Sequence, residues 1–530
     1  MTPHLIGFIL LPIVASLTLY IFKNTKFRVI SVAIELFLFL VSVSFIQTGS
    51  HFDLLVNVPL PYGMALKLDS LSGAMLLLNN FLFLAMTVYS IKRPYANQLF
   101  MFIFLSLQGL INALFLSTDF FNVYILIEVA TIAVSILIMY KKDSQSMYDG
   151  MIYLLVNMVA MAFFLFGIGF LYKQYGVLDF VTIGALIEKS NTPETLYLPY
   201  ALLITGVSLK AALMPLFSWL PKAHGTASAP AVVSAILSGI FVKVGVYMLI
   251  RLQILFNPAI DIQSFFLFLG FLTAIAGFVF AISHTDIKLI LAYHTVSQIG
   301  LILIGISGSS ELNFLGGTYH ILSHGVFKSL FFLSSGLLVQ HYKTRKIKHM
   351  TGLWQSSKWL SLVLMSAILS ITGAPFFSGG YAKYFISYGY QGLAYDALFL
   401  VINLGTMVSF IKFIHVIFSK NENPEPVVID PFQRTVITIM GLTCFILGTF
   451  GPFLSNAIFG ISGQMTLTDQ IGKLPTYLLT YALAYGIYAL ISKQKVVLRK
   501  IRSLELSFNS INLAVVSFFF ATLAYLTYLH

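Results

Sequence analysis

Apolar positions along this chain do not alternate and do not fall on one helical stripe. They fill windows of roughly 20 residues, about 16 in all, from Leu5–Phe22 to Ile511–Leu529. Short polar links separate them, and no long soluble segment is left over. The pattern predicts an all-α polytopic membrane protein with about 14–16 transmembrane helices. The first run, in "MTPHLIGFIL", lacks a basic leader and no A-x-A-like cleavage site follows, so it reads as a retained helix. Two spans are predicted to be discontinuous. One contains Pro215, five residues after Lys210; the other contains Pro375 in "ITGAPFFSGGYAKYF", with Gly373, Gly379 and Gly380 around it.

Composition agrees: of 530 residues, 58% are hydrophobic and 9% charged, with a mean hydropathy of +0.90. A single water-soluble core is excluded. The one cysteine, Cys444, rules out an internal disulfide, an iron–sulfur site and a thiolate zinc site. No cofactor and no metal is expected, so any electron transfer would belong to another subunit.

The formal charge of +12 would suggest nucleic acid in a soluble protein, but the 31 Lys and Arg residues form no patch. Twenty-one lie in odd-numbered connections between spans and five in even-numbered ones. The positive-inside rule then puts odd connections in the cytoplasm and both termini outside the cell membrane.

The other five, Lys210, Lys243, Lys328, Lys383 and Lys412, fall inside spans with Glu128, where each charge costs roughly 2.5–3.5 kcal/mol. Such groups must be paired, hydrated or neutral. Glu35 is expected to snorkel from a helix end; for Lys412, snorkelling and burial both stay open. Lys210, Lys243 and Lys328 are too deep for that. Desolvation lowers a lysine's proton affinity and a nearby carboxylate restores it, so Glu128 beside Lys210 would make a proton switch. His320, His324 and Lys328 follow at i, i+4 and i+8 on one helix face, and His294 lies in "LAYHTVSQIG". A lone histidine here would read as a satisfied core residue. Three titratable groups on one face favour a proton relay.

Several motifs, in order, resemble one family: "LDSLSG", "DFFNVYILIEV", "LKAALMPLFSWLPKAHGTASAPAVVSAILSGIFVKVGVYMLIR", "DIKLILAYHTVSQIG", "HGVFKSLFFLSSG" and "GAPFFSGGYAKYF". It is the antiporter-like membrane subunits shared by respiratory complex I, membrane-bound hydrogenases and Mrp-type cation/proton antiporters, and the likeness covers roughly Leu66–Phe418. The resemblance implies that Glu128 and Lys210 are its glutamate–lysine pair and Lys243 its central lysine. It likewise implies that His324 and Lys328 form its relay and that Lys383 is its terminal lysine. It also implies two inverted five-helix repeats, 98–252 and 262–419, between N-terminal helices 1–97 and C-terminal helices 432–530. Lys222 departs from an often acidic position and reads as an exposed charge. No long amphipathic helix follows Ser492, only the basic link "KQKVVLRKIRS" before a last span, which argues against the distal complex I subunit with its lateral arm.

The resulting expectation is a proton-translocating subunit of a hetero-oligomeric membrane complex, using Glu128, Lys210, Lys243, His294, His320, His324, Lys328 and Lys383. Its partners would be other membrane subunits, protons, Na+ or K+ and the bilayer, with no nucleic acid. Mrp-type antiport or hydrogenase-type pumping leads, with a proton-pumping subunit of NADH:quinone oxidoreductase as the alternative. A haem-binding electron carrier, or a scaffold that has lost transport, is the competing class; neither explains the row of lysines.

Overall fold

The structure is a computed structural model that describes residues 5–23, 25–46, 49–55, 58–190, 192–225 and 229–528. Thr226, Ala227 and Ser228 of the "HGTASAP" loop, and both chain ends, lie outside the described residues. Helices dominate because backbone groups without water must pair within their own segment. Among the described residues, thirteen helices are long and apolar enough to cross a membrane, and two shorter apolar helices, Gly7–Ile21 and Lys358–Thr372, accompany them. A two-stranded antiparallel ribbon, His51–Leu54 with Ala65–Leu68, closes one connection.

The scarce acids have a local explanation. Asp69, Asp119, Asp143, Asp179, Asp286 and Asp430 each stand just before a helix and accept from its first free amides. Asp69 does more. Its two oxygens take both terminal nitrogens of Arg251 at 2.7 Å, so the start of the Ser70–Ser90 helix is tied to the end of Val242–Phe256.

The chain forms two compact units. The first comprises residues 1–219, 240–263 and 506–530. Its Tyr197–Lys210 helix packs against Ser144–Tyr175, Val242–Phe256 and the last helix, Phe508–Tyr528. The second comprises 220–239 and 264–505. Its axis is Glu311–Tyr342, a 32-residue helix buried along most of its length. Ile287–Ile306, Ser378–Ser387, Ala231–Ile236 and Pro431–Thr449 pack around it.

Both expected discontinuities are present. The helix ending at Lys210 gives way to turns, and helix resumes at Trp219. Lys358–Thr372 likewise stops before Ser378–Ser387. At each break one non-glycine residue is left-handed, Ala212 at φ 56° and Phe376 at φ 68°. The basic link after Ser492 folds as the short exposed helix Lys495–Arg502.

Candidate functional site

In the first unit the helix break creates the site. Past Lys210, Ala212 N–H still reaches the Leu209 carbonyl at 2.9 Å and Leu213 N–H the Ser208 carbonyl at 3.0 Å. Trp219 Nε1 also donates to Leu209, at 2.8 Å, so a side chain serves a carbonyl in the interrupted turn. Lys210, 2% exposed, sits at this terminus, where the helix dipole favours a cation. Its ammonium donates to Thr131 Oγ1 at 2.5 Å and lies 5.7 Å from the centre of the Phe241 ring. Glu128, three residues before Thr131, interacts with Lys210 through space. Its Oε1 is enclosed without a hydrogen-bond partner. The Glu128–Lys210 interaction is thus electrostatic, and the ammonium's hydrogen-bond acceptor is a neutral hydroxyl.

Lys243 is wholly buried on the adjacent helix. A one-turn π-helix, Leu237–Phe241, precedes it, a distortion that frequently marks functional sites. Gly245 lets this helix approach the break. A Cβ there would lie 2.3 Å from Ala211 N and 2.6 Å from Lys210 C.

In the second unit the residues expected to form a relay lie on two facing helices. Lys328 Nζ donates to the Leu291 carbonyl at 2.6 Å, and His320 Nε2 bonds Gln298 Oε1 at 3.0 Å. These two pairings run in opposite directions along Ile287–Ile306 and Glu311–Tyr342, which sets His294 level with His324. His320 and His324 ring centres are 6.2 Å apart. Both nitrogens of His294 are buried without a hydrogen-bond partner while its ring packs on Phe410 at 4.8 Å. Lys328, Lys412 and Lys383 all lie within its electrostatic reach.

Lys383 belongs to the second break. Its ammonium donates to the freed Ile371 carbonyl at 2.8 Å and to Asn403 Oδ1 at 3.3 Å. Gly379 and Gly380 are needed here, since a Cβ would meet Ser370 O at 1.8 Å and Ala374 O at 2.3 Å. A cavity of about 390 Å³ opens beside Lys383, also lined by Asn403, Gln470, Lys473, Tyr477 and Thr480.

The structure therefore groups Glu128 with Lys210, with the helix of Lys243 alongside. It groups His294, His320, His324 and Lys328 in one core, and it gives Lys383 a polar cavity of its own. Two expectations, for Glu35 and Lys222, need correction, and the alternatives left open for Lys412 narrow to burial. Glu35 does not snorkel; it is wholly buried, bonded to Gln108 Nε2 at 2.8 Å. Lys412 turns inward and caps the end of Gln263–Ser283, donating to the carbonyls of Ile282 at 2.6 Å and His284 at 2.8 Å. Lys222 is half-buried and interacts with Glu505. Sequence reasoning missed Thr131, Gln298, Asn403 and Lys473, as well as the π-turn. Only Thr131 had a signal, its i+3 spacing from Glu128.

The chain matches the family described as "NADH:quinone oxidoreductase/Mrp antiporter, TM" over residues 117–411. The D-type subunit of a Na(+)/H(+) antiporter from Alkalihalophilus pseudofirmus is 28% identical over 484 residues, 87% of this chain and 96% of that protein. A chain of an archaeal respiratory complex, the membrane-bound sulfane sulfur reductase, shares the fold with a TM-score of 0.80 at 20% identity, covering 90% of this chain and 99% of its own. A chain of the Mrp complex from Dietzia sp. DQ12-45-1b does so at 0.79 and 19%, covering 90% and 99%. With more than half its length in that match and the fold of such subunits throughout, the chain belongs to the NADH:quinone oxidoreductase/Mrp antiporter transmembrane family.

Proposed function

We propose that this chain is the proton-conducting, antiporter-like subunit of a multisubunit membrane complex that exchanges protons for Na+ or K+. One observation carries the reading: the Lys210 ammonium, buried at an interrupted helix, is held by the Thr131 hydroxyl with Glu128 at a distance. A direct ion pair would hold the proton too firmly. A neutral acceptor lets the lysine give up its proton when the Glu128 charge is neutralised and regain it when that charge returns.

From there the proton is handed on through buried side chains. Lys243, wholly buried on the adjacent helix, continues the set. His294, His320, His324 and Lys328 form a core in which imidazoles accept on one nitrogen and donate from the other. Lys383 and its cavity provide the exchange with water. Segments 98–252 and 262–419 act as two inverted five-helix repeats, and both termini lie outside.

The chain has no nucleotide-binding loop and no redox motif, so its work depends on neighbouring subunits. Everted vesicles test this. The chain expressed alone is expected to give no Na+- or K+-dependent proton flux, and coexpression with the membrane subunits encoded beside it is expected to restore it. Robust cation-driven flux from the isolated chain would make it a stand-alone antiporter.

A further inference from the structure

The proton pathway above leaves the wholly buried carboxylate of Glu35 unused. Glu35 lies in the middle of Phe27–Phe45 and, with Asn79, Asn80, Gln108 and Asn112, is 0% exposed. These five side chains form one network across Phe27–Phe45, Ser70–Ser90 and Gln98–Leu116. Gln108 Nε2 donates to Glu35 Oε2 at 2.8 Å and to Asn80 Oδ1 at 2.9 Å. Asn112 Nδ2 donates to the Phe8 carbonyl at 3.0 Å and to Asn80 Oδ1 at 3.2 Å. Asn79 Nδ2 donates to Asn112 Oδ1 at 2.8 Å and to the Gln108 carbonyl at 3.4 Å.

The amide orientations follow from the bonding, without reference to Glu35. Backbone carbonyls only accept, which fixes the nitrogens of Asn112 and Asn79. Asn112 Nδ2 then requires an oxygen on Asn80, and that oxygen takes its second bond from a nitrogen, which fixes Gln108. Three oxygens are left without hydrogen-bond partners: Glu35 Oε1, Gln108 Oε1 and Asn79 Oδ1. Asn80 Nδ2 is the donor left over.

Charge points the same way. The helices packed against Phe27–Phe45, Gly7–Ile21 and Ser70–Ser90, contain no Lys, Arg or His, and neither does Gln98–Leu116. Their titratable groups are Tyr20 and Tyr89. Arg28 stands about two helical turns before Glu35, roughly 10 Å along the axis, and spends its guanidinium on the Ala96 carbonyl at 3.3 Å. A carboxylate at this depth needs a counter-charge, and these helices supply none.

We propose that Glu35, with the side-chain oxygens of Gln108 and Asn79, forms a site for one dehydrated alkali-metal cation, with a proton as the competing occupant. All-oxygen donors suit hard cations. One carboxylate balances one monovalent charge, whereas a divalent ion would leave an uncompensated positive charge in the core. The site's use in transport rests on the antiport reading above; its occupancy does not and is measured without transport.

The test uses the full chain with its partner subunits in lipid nanodiscs, comparing NaCl and KCl with choline chloride at equal ionic strength. The thermal unfolding midpoint should rise with NaCl or KCl and not with choline. Glu35→Gln should need far more salt for the same rise, beyond the roughly 10–100-fold cost of losing an outer partner of a metal ligand. Asn79→Ala should fall in between, and Glu128→Gln should respond as the unaltered chain does. If Glu35→Gln does not fold, the infrared difference spectrum in the Glu128→Gln background decides. The alkali cation should replace a protonated-carboxyl band with a carboxylate band. An equal salt response in Glu35→Gln, no response to either cation, or an unchanged infrared band would each overturn the site. In the unaltered complex, transport without a cation-dependent rise in the midpoint would count against this site alone; a rise without cation-driven transport would count against the antiport reading alone.

Discussion

Lys210 donates to Thr131 Oγ1 at 2.5 Å, and Thr131 passes its own hydrogen to the Ile127 carbonyl at 2.6 Å. The hydroxyl is therefore used in both directions, and it stands one turn from Glu128 on the same helix. An ammonium held this way keeps a neutral partner throughout, so the distant carboxylate is free to act as the variable.

Thr131→Val keeps the shape and removes the hydroxyl. A hydrogen bond to a charged group is worth roughly 1.5–3 kcal/mol, and the unfolding free energy of the complex should fall by about that much. Proton flux should drop, and Thr131→Ser should restore most of both. Unaltered stability and flux in Thr131→Val would remove the hydroxyl from the account.

Glu128→Gln removes the anion and keeps the side chain's size. Losing the carboxylate weakens the attraction that favours the protonated lysine, so the pH profile of transport should move to lower pH with a smaller maximum. Profiles that superimpose would mean that the two groups do not communicate.

Gly245→Ala tests the close approach beside the break. The new methyl would meet the Ala211 nitrogen at 2.3 Å, and backbone cannot yield cheaply. Overpacking of this kind costs typically about 1–3 kcal/mol. The variant should be less stable and should transport more slowly, because Lys243 is carried away from its place. Full activity with full stability would show that the spacing is not needed.

Asp69 gives a pH-dependent prediction. Burial works against its charged form, but the Arg251 guanidinium outweighs this and holds the carboxyl down at about 2. A depressed folded-state value stabilises the fold above the ordinary carboxylate range, and the benefit fades as pH falls from about 4 towards 2. Asp69→Asn should cost roughly 2 kcal/mol near neutral pH, by linkage. The gap between the two proteins in thermal unfolding should close in acid. A gap that persists undiminished in acid would mean that the carboxylate's charge is not what stabilises the contact.

What the sequence discloses follows from how locally each feature is encoded. Lys210 and Pro215, or Gly373, Pro375 and Lys383, sit within a few residues of one another, so the breaks and their lysines are readable as strings. His320, His324 and Lys328 are readable because helical periodicity alone puts them on one face. Their partners are not. Gln298 reaches His320 and Asn403 reaches Lys383 from other helices, Lys473 lines the cavity beside Lys383, and nothing in their own neighbourhoods marks them. Glu35 was misjudged for the same reason. A lone acid in an apolar helix looks like a snorkelling residue until Gln108, 73 positions away, is seen bonded to it. The π-turn at Leu237–Phe241 has no residue signature.

The most direct test of the central claim is proton uptake by the reconstituted complex carrying Lys210→Ala, followed with a pH-sensitive dye in proteoliposomes at matched subunit content. Removing a positioned proton-transfer group typically costs about 10²–10⁴-fold where proton transfer limits the rate. The account predicts cation-dependent uptake indistinguishable from protein-free vesicles, in a complex that still assembles. Uptake near that of the unaltered complex would contradict it.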